Sequence, residues 1–443
     1  MNFYSLTFIY MFLPASVMFY YVAPPKARAP VLLLISIGFY TLAEPRYLLL
    51  MIGSVLADYI IFRIMDKHSE KQLLRRVLML SVFIKTALLV VLLSSFTANR
   101  ELWRPLGVMV YAITSMGYGL DIYSGEAKPE RNIIDFALFC VLFVKLPAGP
   151  LVRWNNIKEQ IKTPKYSLTL VSEGAVLYIQ GLAKKVLIGS NMTLIYNQLA
   201  SLPSTGQSVV SSWLMTVALA FAVYFNLSSL CDMARGLGKM FSIELPRNFY
   251  YPYQSRNITE FVGRFNITVT DFFAAYMPKS WRDETQKGTG IVLGIGFLTL
   301  LWGVWFGFKV NFIIWALYFV FFQLLEKLGL GAFLEKIPTL LSRVYTFAVV
   351  LLSFVIFAGN SVEQSVGYFK TMLTIGSPPL YTDKAMYILS SNYVLLVIAF
   401  VLCTSLVHTF MIKMRKRLPA FTSLFSIGIN TGLLLLATTF LVV

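Results

Sequence analysis

Side chains with the chemistry for acid–base or nucleophilic catalysis are scarce in this sequence, and the most suggestive pair is Cys231 followed directly by Asp232. A reactive thiolate needs a lowered pKa and a neighbouring base or cation, and no histidine lies near Cys231 in the sequence. Asp232 is the better candidate, because a carboxylate within an apolar segment is costly and is usually paired or functional. Arg235 follows three residues later, within reach on a helix, so a structural ion pair is an equally good explanation.

Histidine, the side chain best suited to proton transfer near neutral pH, occurs only twice. His68 belongs to a basic stretch and His408 lies one turn before another, and such positions are typical of the membrane surface. The cysteines are widely spaced and form neither a metal motif nor a disulfide framework, so we predict no metal site. The three cysteines are Cys140, Cys231 and Cys403.

The elements that hold these residues must be apolar helices, because the composition excludes a soluble domain. Of the 443 residues, 57% are hydrophobic and 13% are charged, and the mean hydropathy is +0.69. An ordinary soluble domain has about 25% charged residues. Apolar runs of about 20 residues, long enough to cross a hydrocarbon core roughly 30 Å thick, recur along the chain. The sequence therefore predicts an all-α integral membrane protein whose first partner is the lipid bilayer.

The formal net charge of +17, from 38 Lys and Arg against 21 Asp and Glu, has two possible explanations. A nucleic-acid partner is one, but the basic residues lie between apolar runs and form no long tract. The other is that Lys and Arg collect in the cytoplasmic loops of membrane proteins. We adopt the second explanation and predict no nucleic-acid partner.

The basic connections also predict which side of the membrane each terminus occupies. If the connections around Lys26 and over residues 66–76 are both cytoplasmic, the N-terminus lies outside. The basic stretch from Lys413 to Arg417 separates the last two helices and places the C-terminus outside as well, so the number of crossings is odd. The helices are predicted at about 4–22, 29–42, 47–64, 77–95, 106–122, 134–147, 168–189, 209–227, 290–308, 310–328, 345–357, 392–411 and 421–442.

The longest weakly apolar part of the chain, residues 241–287, is the first candidate for a functional region. Polar, irregular chain within a membrane protein is tolerated where it lines a cavity or lies on a face. With the excess of basic residues, this stretch leaves open a transporter of a lipid or polymer. Its polar residues include Asn248, Asn257, Asn266, Arg247, Arg256 and Arg264.

Short motifs follow one another in a characteristic order over about residues 10–370. They include Met11-Phe12-Leu13-Pro14, Glu44-Pro45-Arg46-Tyr47, Gly119-Leu120-Asp121-Ile122-Tyr123, Ala148-Gly149-Pro150, Gly181-Leu182-Ala183-Lys184-Lys185, Tyr224-Phe225-Asn226-Leu227-Ser228 and Leu245-Pro246-Arg247-Asn248-Phe249-Tyr250. In this order they resemble the membrane-bound O-acyltransferase family, in particular its bacterial branch with the alginate O-acetylation membrane subunit. Two further helices follow at about 391–443, and we predict that residues 1–443 form one polytopic membrane domain.

The resemblance implies a ring of about eleven transmembrane helices, with shorter and re-entrant helices, around a narrow tunnel. It also implies a multi-pass protein of the bacterial plasma (inner) membrane that works with other proteins of envelope-polymer synthesis or acylation. Family members pass an acyl group from a thioester inside the cell to a hydroxyl outside. An acyl-CoA or an acyl carrier protein is then the donor if this chain is active, and no tightly bound cofactor is expected.

The residues that the family uses for this chemistry are replaced here. Acyl transfer to a hydroxyl needs a base, and the two family histidine positions correspond to Asn266 and Phe306, the latter directly after Trp305. Neither side chain takes up a proton. Three further family patterns are altered, at Asn226 for an acidic residue, at Ala274-Ala275-Tyr276 for Arg-Asp-Tyr, and at Lys279-Ser280-Trp281-Arg282-Asp283 for a Gly-Gly-Asn-Arg turn.

The leading hypothesis is a non-catalytic family member that serves as a scaffold or conduit in polysaccharide acylation or export. The alternative is an active O-acyltransferase with a rearranged site, in which Asp232, Arg264 and Asn266 take part and the carrier or the substrate supplies the base. The predicted central site comprises Asn226, Asp232, Arg264, Asn266, Trp305 and Phe306.

Overall fold

The computed structural model describes residues 1–96, 107–147, 149–165, 167–203, 207–282, 289–307, 309–359 and 361–442. Ala148 and Asp283, which belong to the sequence motifs above, and Phe308, the predicted end of a helix, lie outside these ranges. The structure is 81% helical, and no β-strand occurs in the part of the chain that it describes. Its contacts divide the chain into two compact units, Met1–Gly181 with Leu230–Arg247, and Leu182–Ser229 with Asn248–Val443.

The first unit begins with a π-helix, Phe8–Phe12, and continues through apolar helices. Phe39 is fully buried, and its ring contacts those of Phe3, Phe8 and Phe143 at centroid distances of 5.5–5.9 Å. The helices of this unit are α1 (Leu13–Val22), α2 (Arg28–Ala43), α3 (Leu48–Lys67), α4 (Gln72–Phe96), α5 (Val108–Ser124), α6 (Ile133–Val141), α7 (Trp154–Lys162) and most of α8 (Leu168–Ala183).

A buried carboxylate joins three of these helices. Asp58 in α3 forms an ion pair with Lys85 in α4 and accepts a hydrogen bond from Ser115 Oγ in α5 at 2.6 Å. A charge in an apolar interior is costly unless it is paired, so these contacts fix the relative positions of α3, α4 and α5.

The second unit has an aromatic core and contains two π-helices, Lys184–Gly189 after α8 and Glu326–Leu330 after α15. Trp302, Trp315, Phe319 and Phe354 are almost completely buried in this core. Its helices are α9 (Ser190–Ala200), α10 (Val209–Met240, with residues in both units), α11 (Ile258–Arg264), α12 (Ile267–Ala275), α13 (Lys279–Arg282), α14 (Thr289–Val304), α15 (Val310–Leu325), α16 (Gly331–Lys336), α17 (Thr339–Ala358), α18 (Val362–Met372), α19 (Asp383–Leu402), α20 (Leu406–Arg417) and α21 (Pro419–Val442).

Seven helices among the described residues are long and apolar enough to cross a membrane, and two shorter ones are also apolar. The prediction of an all-α membrane protein is therefore confirmed. The count of about eleven crossings, the ring, the outside position of both termini and the single domain stay predictions. The seven spans are Pro25–Ala43, Pro45–Lys67, Val209–Met240, Val310–Lys336, Thr339–Ala358, Asp383–Leu402 and Phe425–Val442, and the shorter helices are Phe8–Val22 and Gly290–Val304.

The C-terminal region differs from the sequence prediction, because it contains three helices instead of two. The predicted helix over 392–411 is interrupted at residues 403–405, where Thr404 Oγ1 donates to the carbonyl of Val401 at 2.6 Å. The amide of Ser405 donates instead to Gln254 Oε1 at 3.1 Å. Side chains thus replace helical hydrogen bonds here, and the basic residues 413–417 lie in the separate helix α20.

The polar stretch 241–287 is also more regular than predicted. It contains the short helices α11, α12 and α13, and a side chain caps the first of them. Asn257 Oδ1 accepts a hydrogen bond from the amide of Glu260 at 2.7 Å at the start of α11. Capping side chains of this kind stabilise short helices in polar sequence.

Candidate functional site

Asn266, at one of the two family histidine positions, forms the turn between α11 and α12. Its φ is +61°, a left-handed conformation that asparagine adopts more readily than most residues. The side chain is buried, and its Oδ1 accepts a hydrogen bond from Asn248 Nδ2 at 2.6 Å. Asn266 therefore acts as a structural turn residue in this conformation.

Asn248 holds this turn through hydrogen bonds to both its side chain and its main chain. Its Oδ1 accepts hydrogen bonds from the amide and the hydroxyl of Thr268 at 2.9 and 2.8 Å, and its carbonyl accepts one from the amide of Ile267 at 2.8 Å. Phe249 and Phe265 form an antiparallel bridge beside it. The two segments 248–250 and 264–268 are consequently locked together around Asn266.

Phe306, at the other family histidine position, belongs to an aromatic cluster that also comprises Trp302, Trp315 and Phe357. The ring of Phe306 lies 5.6, 5.2 and 5.8 Å from those three rings, edge to face in each case. Trp302 and Trp315 stack at 4.5 Å. Such aromatic pairs add stability beyond the apolar area that they bury, so Phe306 fills a packed site.

The two histidine positions are brought close together through Phe265. The indole N–H of Trp302 donates to the carbonyl of Phe265 at 3.2 Å, and the rings of Phe265 and Phe306 are 6.4 Å apart. Asn266 follows Phe265 directly in the chain. The structure thus brings both positions close to Phe265, and neither carries a titratable group.

Trp305 lies half-buried directly after the end of α14, and its amide donates to the carbonyl of Leu301 at 3.0 Å. A close approach between α14 and α15 supports this end of the helix. A Cβ atom at Gly303 would lie only 2.5 Å from Cβ of Ala316 and 2.9 Å from the carbonyl oxygen of Phe312. Glycine is therefore required at residue 303 for the aromatic cluster to close.

Arg264 is half-buried at the end of α11. Its guanidinium pairs with the carboxylate of Glu260 at 2.5 Å and lies 5.5 Å from the ring centre of Tyr250. Glu260 belongs to α11 itself, and Tyr250 belongs to the segment 248–250 that bridges to residue 265. They hold Arg264 in place beside the turn at Asn266.

Asn226, the third replaced residue, connects α10 with the π-helix Lys184–Gly189. Its Nδ2 donates to the carbonyls of Gly189 and Ala222 at 3.2 and 2.8 Å and to Thr193 Oγ1 at 3.0 Å. Its Oδ1 accepts from Lys185 Nζ at 2.5 Å. The amide thus uses both its donor and its acceptor groups in holding these two helices together.

Asp232 and Arg235 lie on the part of α10 that belongs to the first unit. The carboxylate of Asp232 and the guanidinium of Arg235 are 3.5 Å apart, as the spacing of three residues predicts. Asp232 is partly exposed, whereas Cys231 is buried. The structural ion pair considered from the sequence is present.

Neither histidine lies among these residues. His68 is partly exposed directly after α3, where its Nδ1 lies 3.1 Å from the carbonyl oxygen of Ile64. His408 is exposed in α20, with its ring 6.3 Å from that of Tyr251. Within the described residues, no group of three or more His, Cys, Asp or Glu is arranged to hold a metal ion.

Sequence reasoning missed Glu326, a nearly buried carboxylate that caps α11. It accepts hydrogen bonds from the amides of Ile258 and Thr259 at 2.6 and 2.9 Å. The sequence did contain an indication of this role, because an acidic residue within an otherwise apolar span usually has a structural or functional role. Trp315 and Phe357 were also missed, since aromatic residues at helical spacing do not reveal which rings meet.

Comparison with known proteins finds bacterial relatives that are named for acyl transfer. No family model matches it. It is 30% identical over 390 residues to a probable alginate O-acetylase of Pseudomonas fluorescens, an alignment that covers 85% of this chain and 76% of the relative. It is 25% identical over 421 residues to a peptidoglycan O-acetyltransferase of Helicobacter pylori, which covers 84% of this chain and 80% of the relative.

A more distant relative is a teichoic acid D-alanyltransferase of Bacillus subtilis, 23% identical over 275 residues that cover 58% of this chain and 69% of the relative. These bacterial relatives, with the apolar helices described above, identify a multi-pass bacterial membrane protein. The order of the sequence motifs and the extent of these alignments agree, and the chain belongs to the membrane-bound O-acyltransferase family.

Proposed function

We propose that this chain is a non-catalytic member of its family, acting as a scaffold or conduit in bacterial machinery that acylates or exports an envelope polysaccharide. The observation that carries the proposal is the structural role of both residues at the histidine positions. Asn266 forms a left-handed turn through Asn248, and Phe306 fills the aromatic cluster. Neither can remove a proton from an attacking hydroxyl.

The replacements support one another, because each is integrated into local packing. Asn226 uses its amide to join α10 to a π-helix, and Ala274 and Ala275 end α12 without a charged group. A site that had lost one group while retaining its partners would leave buried polar atoms unsatisfied. Here the amides of Asn226 and Asn266 are hydrogen-bonded and Phe306 is packed among other rings, which fits a scaffold that works without the reaction.

The wider assignment follows from the relatives, which are named for acyl transfer to alginate, peptidoglycan and teichoic acid. By analogy the chain acts on, or beside, an envelope polymer in the inner membrane, together with other proteins of the same machinery. A thioester donor, acyl-CoA or an acyl carrier protein, is a ligand only if transfer activity is retained.

Complementation of a deletion strain, with the ester content of the envelope polymer as readout, tests this proposal against a rearranged active site. The non-catalytic proposal predicts that Asp232→Asn and Cys231→Ala both restore wild-type ester content. A rearranged enzyme predicts that Asp232→Asn abolishes it while Cys231→Ala does not.

Arg235→Gln is the matched control, because it breaks the same 3.5 Å ion pair and leaves the carboxylate in place. If Asp232→Asn and Arg235→Gln reduce ester content equally, with equal loss of protein from the membrane, the pair is structural. Loss of ester content in Asp232→Asn alone, at normal protein abundance, would overturn the proposal.

A further inference from the structure

Helix α20 is a short helix between two membrane spans. It covers Leu406–Arg417, between the spans Asp383–Leu402 and Phe425–Val442, and none of its residues is buried. Twelve helical residues extend about 18 Å, which is too short to cross a hydrocarbon core of about 30 Å. A helix in this position, joined to a span at each end, must lie near the membrane surface.

Helix α20 has most of its apolar side chains on one side and its basic residues in its last turns. At about 100° per residue, five of its six apolar side chains fall within an arc of about 140°, and Ile412 lies outside it. The five are Leu406, Val407, Phe410, Met411 and Met414. The side chains of Leu406 and Phe410 are 63% and 59% exposed, so this arc is not covered by the protein.

Four cations occupy the last turns of the helix: Lys413, Arg415, Lys416 and Arg417. All four are exposed, and none forms an ion pair with any residue that the structure describes. The sequence from Lys384 to Val443 contains no acidic residue, so the neighbouring chain offers no partner. No residue that the structure describes pairs with this cluster, so its charge is open to a negatively charged partner.

We propose that α20 is an interfacial helix whose four cations bind the headgroups of anionic phospholipids while its apolar arc enters the acyl-chain boundary. An exposed apolar arc beside a basic cluster is the pattern of helices that lie in the membrane surface. Each Lys or Arg near an anionic surface strengthens binding about fivefold, and clusters of four or more are sufficient for selective attraction. Neutral headgroups offer no such charge complementarity.

Helix α20 and the residue before it contact the chain segment that precedes Asn266 in the sequence. The amide of Ser405, directly before α20, donates to Gln254 Oε1 at 3.1 Å, and the ring of His408 is 6.3 Å from that of Tyr251. Gln254 follows the segment 248–250 that is locked to the turn at Asn266. A lipid surface that holds α20 would therefore also restrain Tyr251 and Gln254, which directly follow this segment.

The experiment uses the full chain with Phe410→Cys, labelled with bimane and reconstituted into vesicles of phosphatidylcholine and phosphatidylglycerol in equal amounts. The three native cysteines are buried and should resist labelling. Quenching by spin-labelled phosphatidylglycerol is compared with quenching by spin-labelled phosphatidylcholine. We expect quenching by both lipids, with a several-fold preference for the anionic one that weakens at high salt.

Removing two charges with Arg415→Gln/Lys416→Gln should lower the preference for the anionic lipid to about half or less of its wild-type value, because each charge contributes to the attraction. The matched control, Lys370→Gln/Lys384→Gln, removes two exposed lysines elsewhere in the same unit and should leave it unchanged. Arg415→Lys/Arg417→Lys keeps the charge and should keep the preference.

Equal quenching by the two lipids, or a preference that survives replacement of all four cations by glutamine, would overturn the proposal. Absence of quenching by either lipid would do the same, because the helix would then lie away from the bilayer. None of these outcomes depends on whether the chain transfers acyl groups.

Discussion

The indole N–H of Trp302 donates a hydrogen bond to the main-chain carbonyl of Phe265, 3.2 Å away. This contact attaches the helix that precedes Phe306 to the residue directly before Asn266. The two positions at which the family carries histidine therefore lie on either side of one hydrogen-bonded contact. Phe306 packs among aromatic rings, Asn266 is hydrogen-bonded to Asn248, and neither side chain titrates near neutral pH.

Trp302→Phe tests how strongly this contact holds the site. The variant keeps an aromatic ring to stack on Trp315 but leaves the carbonyl of Phe265 without its indole donor. We expect a loss of about 1–3 kcal/mol in the free energy of unfolding, measured by thermal unfolding in detergent micelles. Trp305→Phe, at a half-buried position one residue before Phe306, should cost clearly less; equal costs would show that the hydrogen bond contributes little.

The approach of α14 to α15 predicts a second effect. Gly303→Ala places a Cβ atom 2.5 Å from that of Ala316, so the helices must separate and the variant should lose about 1–3 kcal/mol of stability. Gly296→Ala, in the same helix, meets no atom within 4 Å and should be neutral or stabilising by up to about 1 kcal/mol, because alanine favours helix. Equal melting temperatures for the two variants would contradict the packing described here.

Two substitutions at Asn266 separate the contribution of its hydrogen bond from that of its left-handed backbone conformation. Asn266→Gly keeps the positive φ and removes the hydrogen bond to Asn248, so its cost of about 1–3 kcal/mol measures that bond. Asn266→Ala should cost about 1–2 kcal/mol more, because a Cβ atom is disfavoured in the left-handed region. If the alanine variant is as stable as the glycine variant, the turn is not strained as the structure indicates.

The polar loop between α5 and α6 predicts a dependence of stability on pH. Burial raises the pKa of Glu130, but the hydrogen bond from Lys162 at 2.6 Å and those from the amides of Asn132 and Arg131 outweigh it, and the net pKa is lowered. A carboxyl whose pKa is lower in the folded state stabilises the protein above its unfolded pKa of about 4.3. That contribution is lost as the pH falls through the folded pKa.

Glu130→Gln should therefore flatten the acid side of the stability profile between about pH 5 and pH 3, in thermal unfolding followed at each pH. Glu159→Gln, on the helix that carries Lys162, is the comparison variant, since its carboxyl is exposed. A wild-type slope in Glu130→Gln would show that the ion pair with Lys162 does not contribute to stability.

The membrane class could be predicted from the sequence, because few charges and long apolar runs leave only a membrane fold. The proximity of Asn266 and Phe306 could be expected only from the family resemblance, because 40 positions separate them in the chain. The pairing of Asn248 with Asn266 depends on a positive φ that no local pattern of residues indicates. The contact of Phe306 with Phe357 spans 51 positions and depends on how three helices pack.

The break between α19 and α20 could not be predicted from the sequence either, because Thr404 and Ser405 form a short polar interruption of a kind that membrane helices also contain. Gln254, about 150 residues earlier, takes the amide that would otherwise continue the helix. Long-range side-chain contacts of this kind decide where an apolar run bends, and a single sequence does not reveal them.

Restoring the histidines should not restore a reaction. In Asn266→His/Phe306→His, the imidazole at 306 must lie among Trp302, Trp315 and Phe357, where it has no evident hydrogen-bond partner. Burying an unpaired polar group costs about 1–3 kcal/mol, so we expect lower stability and unchanged function in the cell. A gain of acyl transfer in this variant would show that the rest of the catalytic site is intact.

The most direct test of the central claim is an acyl-transfer assay on the purified native chain in lipid. The chain is supplied with radiolabelled acetyl-CoA or a charged acyl carrier protein, and loss of the thioester is followed beside an active relative. We predict no turnover above the protein-free control while the relative turns over. Turnover by the native chain would contradict the claim, and its loss in Asp232→Asn but not in Arg235→Gln would identify a rearranged catalytic site.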